Sequence, residues 1–314
     1  MLSLIIPIYN EEKNIFLLYN RICTVLEQVD EPFELLFIND GSQDKSLILI
    51  KSLAEQDERI KYINFSRNFG HQVAVSAGLD HARGQAVVIM DADLQDPPEL
   101  IPAMYQKMKE GFDVVYAKRK KREGESFIKL FTAKMFYRLL SKITAIQIPL
   151  DTGDFRIISQ KVVNVLRKMP ERNKYLRGQI SWVGFPQTFV EYNRGERANG
   201  KSGYTYGKML RFALDGITSF SSFPLKLASI LGFVVSGIAF IVMLFAVYAH
   251  LFRHATVQGW TSLIISVLFI GGIQLISIGI IGEYISRINT DVRNRPLYIV
   301  SDSNISETIQ VGTA

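Results

Sequence analysis

A single cysteine, Cys23, in a chain of 314 residues excludes a disulfide framework and fits a reducing compartment. No basic segment precedes the first apolar run, which Pro7 interrupts, so a secretory signal peptide is not expected. Internal repeats and low-complexity tracts are absent. The charge balance is modest: 36 Lys and Arg against 30 Asp and Glu leave +6, too little in bulk for a chain built to neutralise nucleic acid. Charge is missing altogether from two stretches, Leu227 to Ala249 and Trp260 to Gly282, each of 23 residues. At about 1.5 Å per residue each would extend roughly 34 Å as a helix, enough to cross a bilayer core. The short connector between them makes a hairpin. Lys208, Arg211, Lys226, Arg287, Arg293 and Arg295 flank its outer ends, whereas Arg253 alone lies in the connector. That asymmetry predicts a multi-pass protein of the cell membrane with both termini and the N-terminal portion cytoplasmic. Ala228, Gly232 and Ser236, spaced by four, form a candidate seam for association with another helix.

The first 120 residues have a different rhythm. Apolar runs at 2–9, 34–40, 60–66, 86–93 and 113–119 read as strands, and helical patterns at roughly 12–28, 43–57, 71–82 and 98–110 lie between them. Alternation of this kind predicts an α/β fold with a mostly parallel sheet covered on both faces. Ligands then sit beyond the carboxyl ends of the strands, where the sequence collects polar groups: Tyr9 to Glu12, Asn39 to Ser42, Ser66 to Asn68, Asp91 to Asp93, and Lys118 with Arg119. Carboxylates clustered at a strand end repel one another. Two aspartates one residue apart, facing a nucleotide-sized rim, suit a hard Mg²⁺ or Mn²⁺ that shares its shell with a diphosphate. Asp96 reads as the cap of the following helix, with a proline in its first turn. "NDGS" at 39–42 could also be a plain turn. His71, with no second histidine nearby, reads as a hydrogen-bonding group at a helix start.

Beyond residue 118 the chain turns basic. The segment 118–143 carries nine Lys or Arg against two Glu, with Phe127, Leu130, Phe131, Met135, Phe136, Leu139 and Leu140 at helical spacings. From about Ser126 this is an amphipathic helix that would lie on an anionic membrane surface, or else a core helix with a solvated basic face. A second such segment, Tyr204 to Phe223, leads into the first apolar stretch. A nucleic-acid partner is not expected, because the cations are interleaved with Phe and Leu beside a membrane hairpin.

Four segments in this order, "PIYNEEKNI", "INDGSQDKS", "SRNFGHQVAVSAGLDHA" and "DADLQDPPELI", resemble the family 2 glycosyltransferases of GT-A fold. More narrowly the chain resembles their polyprenyl-phosphate branch, which includes dolichyl-phosphate mannose synthase and the bacterial bactoprenol (undecaprenyl-phosphate) glucosyltransferases. The apolar hairpin followed by "NRPLYIV" (294–300) is similar to the bacterial members. The resemblance implies that Pro7, Tyr9, Glu11 and Asp40 hold a nucleotide, that Asp91 and Asp93 bind the metal and diphosphate, and that Gln95 lies near the donor sugar; Arg119, a further donor-side candidate, could face phosphate or simply begin the basic surface. In "DTGDFR" (151–156), Asp154 stands where related enzymes place a carboxylate near the acceptor. Processive members carry Q-x-x-R-W, whereas Gln179 to Trp182 here lacks the arginine, which points to a single transfer.

"RGERANGKSGY" (194–204) is similar to the family's basic loop. Arg194, Arg197 and Lys201 would bind the acceptor phosphate, because Arg can hold phosphate bidentately and Gly lets the backbone come close. A solvated basic linker is the alternative for this loop. A lipid phosphate is already anionic at pH 7, so Asp154 is expected to orient the acceptor rather than deprotonate it. The expected organisation is a catalytic domain at 1–193, a basic loop and juxtamembrane helix at 194–226, spans at 227–249 and 260–282, and a cytoplasmic tail at 283–314 that becomes disordered after about Asp302. The expected activity is metal-dependent, inverting transfer of one sugar from a nucleotide sugar, UDP-glucose, to a polyprenyl phosphate by a homo-oligomer. The alternative is a non-catalytic membrane scaffold or lipid-translocation component that retains a nucleotide-binding domain.

Overall fold

The computed structural model describes residues 1–119, 152–192, 221, 223–253 and 259–305. Its N-terminal part alternates as the apolar runs predict: β1 (Leu2–Ile8), α1 (Ile15–Leu26), β2 (Phe33–Asn39), α2 (Ser46–Gln56), β3 (Ile60–Phe65), α3 (His71–His81), β4 (Ala86–Ile89), α4 (Ile101–Lys109) and β5 (Val114–Arg119). There follow β6 (Thr152–Ser159), α5 (Gln160–Arg167), α6 (Leu176–Trp182), β7 (Gln187–Tyr192), α7 (Phe223–Arg253), α8 (Trp260–Val292) and β8 (Val300–Ser303). The basic segment 120–151 and residues 193–220, with Arg194, Arg197 and Lys201, lie outside the described residues.

One eight-stranded sheet in the order β7-β5-β6-β4-β1-β2-β3-β8 organises the domain. Its centre is parallel, as expected: β1 pairs with β2 and β4, and β2 pairs with β3. The outer parts depart from that expectation, because β6 runs antiparallel between β4 and β5, and β8 runs antiparallel along β3. The sheet is therefore mixed. Period-two alternation feeds its two cores. Leu2, Leu4, Ile6 and Ile8 of β1 join the cluster beneath α1, α2 and α4, while Ile5 points to the opposite cluster with α3, α5 and α6. Burial on both faces explains why these strands read as nearly unbroken apolar runs.

α3 comes unusually close to β1 at Gly78, where a Cβ would lie 2.3 Å from Ile5 Cγ2. β8 closes the far edge and overturns the expectation of a disordered tail as far as Ile305. Asn304 donates to the Ile60 carbonyl at 2.9 Å and accepts from the Tyr62 amide at 2.7 Å. Its sequence, VSDS, has no strand signature of its own; the open edge of β3 recruits it.

α7 and α8 are 31 and 33 residues long, and both are apolar and long enough to cross a membrane. Both overrun the charge-free stretches, α8 continuing to Val292. In the four-residue seam, Ala228 is buried and Gly232 half-buried, but Ser236 is exposed.

At Gly78, helix propensity would favour alanine by up to about 1 kcal/mol. The overlap with Ile5 outweighs it, because overpacking a tight core typically costs about 1–3 kcal/mol. Gly78→Ala should therefore destabilise the protein, read as a lowered midpoint in chemical denaturation.

Candidate active site

The β1 and β2 ends are stitched together before any ligand arrives. Asn10 adopts φ 57°, a left-handed conformation that Asn tolerates. Its amide donates to Ser42 Oγ at 2.9 Å, and its Oδ1 accepts from the Gln43 amide at 2.8 Å. The Glu11 amide donates to Ser46 Oγ at 2.9 Å, and Glu11 Oε2 accepts from Asn14 at 2.6 Å. Pro7 is buried within β1, and Tyr9 at the rim is exposed. Asp40, just past β2, accepts the amides of Phe69 at 2.6 Å and Gly70 at 2.9 Å. This is more than the plain turn that "NDGS" could have been, since Asp40 fixes the loop between β3 and α3. Gly41, at φ 66°, lets that loop approach, because a Cβ there would lie 2.5 Å from the Arg67 carbonyl carbon.

The antiparallel strand β6 decides where "DTGDFR" meets "DADLQD". Ile89 pairs with Arg156, so two residues further out Asp91 stands across from Asp154. His71, the first residue of α3, reaches between them, with Nε2 3.6 Å from Asp91 Oδ1 and 3.4 Å from Asp154 Oδ2. On the other side of Asp154, Oδ1 accepts from Arg156 Nη2 at 3.0 Å and from Arg177 Nη2 at 3.2 Å. Three cationic groups thus converge on one carboxylate. Sequence reasoning underrated all three. Arg156 lay in a quoted motif without a role, His71 was read as a helix-start group, and Arg177 gives no local signal, since it arrives on α6 from distant sequence.

The electrostatics follow. Burial would raise the Asp154 carboxyl, but Arg177, the His71 hydrogen bond and Arg156 overcome it and hold the group far below the ordinary carboxylate range. For His71, burial pulls the pKa down, yet the hydrogen bond to Asp154 and the charges of Asp91, Asp154 and Asp40 raise it to about 9. Asp91 moves the opposite way from Asp154. Burial, with repulsion from Asp154, Asp96 and Asp93, raises it above the usual range against the pull of His71. The Asp91 side chain keeps 37% of its surface open, while its Oδ1 is sealed from solvent without a hydrogen-bond partner.

Asp93 Oδ1 accepts from the Gln95 amide at 3.1 Å, and Gln95 is buried. Between them Leu94 sits at φ 61°, a conformation that costs a bulky residue about 1–3 kcal/mol and is held where surrounding structure enforces it. Asp96 is not a helix cap. It is buried and accepts from Tyr192 Oη at 2.9 Å, while Pro97 takes the cap position of the short 3₁₀ turn Pro98–Leu100. Arg119 ends β5 in register with Tyr192.

A buried carboxylate oxygen that makes no hydrogen bond, with a second aspartate two positions on, fits a divalent cation whose remaining ligands come from a bound phosphate. Among the described residues no group of three or more His, Cys, Asp or Glu is arranged to hold a metal by itself.

An α/β sheet with carboxylates, imidazole and guanidinium gathered at its strand ends has its polar cluster where folds of this class bind their ligands. The chain belongs to glycosyl transferase family 2, whose pattern matches residues 3–167, and it is a glycosyltransferase with a GT-A-like sheet. It is 52% identical over 301 residues to an uncharacterized glycosyltransferase of Bacillus subtilis, covering 96% of this chain and 93% of that one. It is 43% identical over 303 residues to the SfII prophage-derived bactoprenol glucosyl transferase of Shigella flexneri, covering 96% and 98%. Among solved structures, mannosyl-3-phosphoglycerate synthase from Rubrobacter xylanophilus aligns with a TM-score of 0.47 at 16% identity, over 68% of this chain and 71% of that one.

Arg156 has a side chain only 2% exposed, and Asp154 is its carboxylate partner. Asp154→Asn should therefore lower stability by about 3–5 kcal/mol, the usual cost of stranding a buried charge. Asp154→Asn combined with Arg156→Met should recover most of that loss. Thermal unfolding of the purified single and double variants checks the recovery.

Proposed function

We propose that the protein transfers one glucose from UDP-glucose to a polyprenyl phosphate at the cytoplasmic face of the membrane, with inversion at the anomeric carbon. The observation that carries this reading is the rim itself, with Asp91 and Asp93 at the end of β4 and Asp154 held anionic beside them by Arg156, Arg177 and His71. Similarity over nearly the whole chain to proteins named bactoprenol glucosyl transferase supports the acceptor, and the two long apolar helices support a membrane location. The flanking cations favour cytoplasmic termini. The hairpin is the expected surface for association with further copies.

In the reaction a phosphate oxygen of the lipid attacks the anomeric carbon, the bond from that carbon to the UDP oxygen breaks, and UDP departs with the bonding pair. Asp91 and Asp93 would hold Mg²⁺ or Mn²⁺, which when bound offsets the charge that grows on the leaving diphosphate. Pro7, Tyr9, Glu11 and Asp40 would form the nucleotide end of the cleft, with Gln95 and Arg119 toward the sugar. The acceptor arrives ionised, so no base has to remove a proton. A carboxylate held far below its usual pKa is a poor base, which supports an orienting role for Asp154. Arg194, Arg197 and Lys201 would bind the acceptor phosphate from the basic loop.

Purified protein given Mg²⁺ or Mn²⁺, undecaprenyl phosphate and a panel of radiolabelled nucleotide sugars should label the lipid from UDP-glucose. EDTA and Asp93→Asn should each nearly abolish the label, a loss of about 10²–10³-fold for an electrostatic group of this kind. Asp154→Asn, assayed where it stays folded, should lose far less. Label arriving from another donor would overturn the choice of sugar, and no label from any donor would overturn the transfer itself.

The basic loop carries its own expectation. Arg197→Ala or Lys201→Ala should raise KM for the lipid acceptor more than KM for the nucleotide sugar, and equal effects on both would remove the acceptor assignment.

A further inference from the structure

The segment after α8 does more than end the chain. Tyr298 stacks on Phe65 with ring centroids 5.1 Å apart and an interplanar angle of 21°, and its hydroxyl donates to Asp80 Oδ2 of α3 at 3.0 Å. The next residue, Ile299, accepts the Ser66 amide at 3.0 Å. Val300 and Asp302 then pair with Phe65 and Asn64, and Lys51 closes on Asp302 at 2.5 Å. At the helix end, Asp291 accepts the Arg172 amide at 3.0 Å, and Asn294 takes the Arg172 guanidinium. The segment is anchored both to the membrane-length helix and to the sheet.

What it grips is the loop that builds the rim. Phe65 also meets Phe69 edge-on at 5.6 Å, and the amides of Phe69 and Gly70 are the donors to Asp40. His71 follows directly and opens α3, the helix whose Asp80 receives Tyr298. A continuous packed path thus runs from α8 through Tyr298 to Phe65, Phe69 and Asp40, and by a second branch through Asp80 along α3 to His71. Stacked aromatics transmit position well, because close packing leaves little slack for one ring to move without its neighbour.

We propose that residues 294–304 form a strap by which the inner end of α8 sets the geometry of the 66–71 loop, with Tyr298 as the positioning residue for the nucleotide end of the site. The strap meets the loop directly only at Ser66, whose amide Ile299 accepts; otherwise it acts through Phe65 and Asp80. The consequence for catalysis rests on the nucleotide role proposed for Asp40, whereas the mechanical coupling does not.

The test uses the full chain in lipid nanodiscs with Tyr298→Leu, which keeps apolar bulk but removes the stack and the hydroxyl, and Tyr298→Phe, which keeps the stack alone. Amide exchange is read without any ligand. Residues 66–71 should exchange at least tenfold faster in Tyr298→Leu and no more than threefold faster in Tyr298→Phe, with 33–39 of β2 unchanged. In the transferase assay Tyr298→Leu should raise the UDP-glucose KM five- to tenfold and leave the lipid KM and kcat within twofold. Unchanged exchange at 66–71, a uniform increase across the sheet, or equal shifts of both KM values would each overturn the strap. Failure of the unaltered protein to bind UDP would instead remove the nucleotide reading, and the exchange result would still decide the coupling.

Discussion

Asp91 and Asp154 face each other across the junction of two antiparallel strands, and the repulsion between them is the constraint that the rest of the rim answers. Asp93 and Asp40 add further negative charge nearby. Like charges at such range cannot all ionise freely in a partly desolvated cleft. The structure resolves the conflict unequally. Arg156, Arg177 and His71 are spent on Asp154, which stays anionic, while Asp91 is left with a sealed oxygen and a raised affinity for protons. Two carboxylates are pushed in opposite directions by their surroundings, one held as a fixed charge and one shifted toward its protonated form.

Positioning that cluster requires elements from across the chain. β4 delivers Asp91, β6 delivers Asp154 and Arg156, α3 delivers His71 and α6 delivers Arg177. The insertion of β6 antiparallel to β4 is what brings a strand's beginning to the rim where its neighbours end. Close contacts keep the arrangement stiff: Gly78 draws α3 onto β1, and Gly41 admits the 66–71 loop against the β2 end. Strain at Leu94 is held in the same turn that aims Asp93.

The membrane part and the catalytic part are physically joined. α8 carries its last turns into contact with Arg172, and the chain then returns to complete the sheet along β3. A glycosyltransferase acting on a lipid gains from such a joint, because its acceptor is confined to the bilayer while its donor arrives from water.

By itself the sequence determined the five N-terminal strands, the helices between them, the polar rim at the strand ends and the two membrane-length helices. Each rests on local periodicity or on a charge-free run that needs no partner to be read. The family was legible as well, through motifs in series. Tertiary structure alone decided what depends on pairing between distant segments. Asp154 meets Asp91 through the direction of β6, Arg177 reaches the cluster through α6, and Asp96 serves Tyr192 rather than a helix end. VSDS becomes a strand because β3 offers an unpaired edge. His71 shows the boundary between the two: its place at a helix start was readable, but its two carboxylate neighbours come from strands whose adjacency only the folded sheet creates.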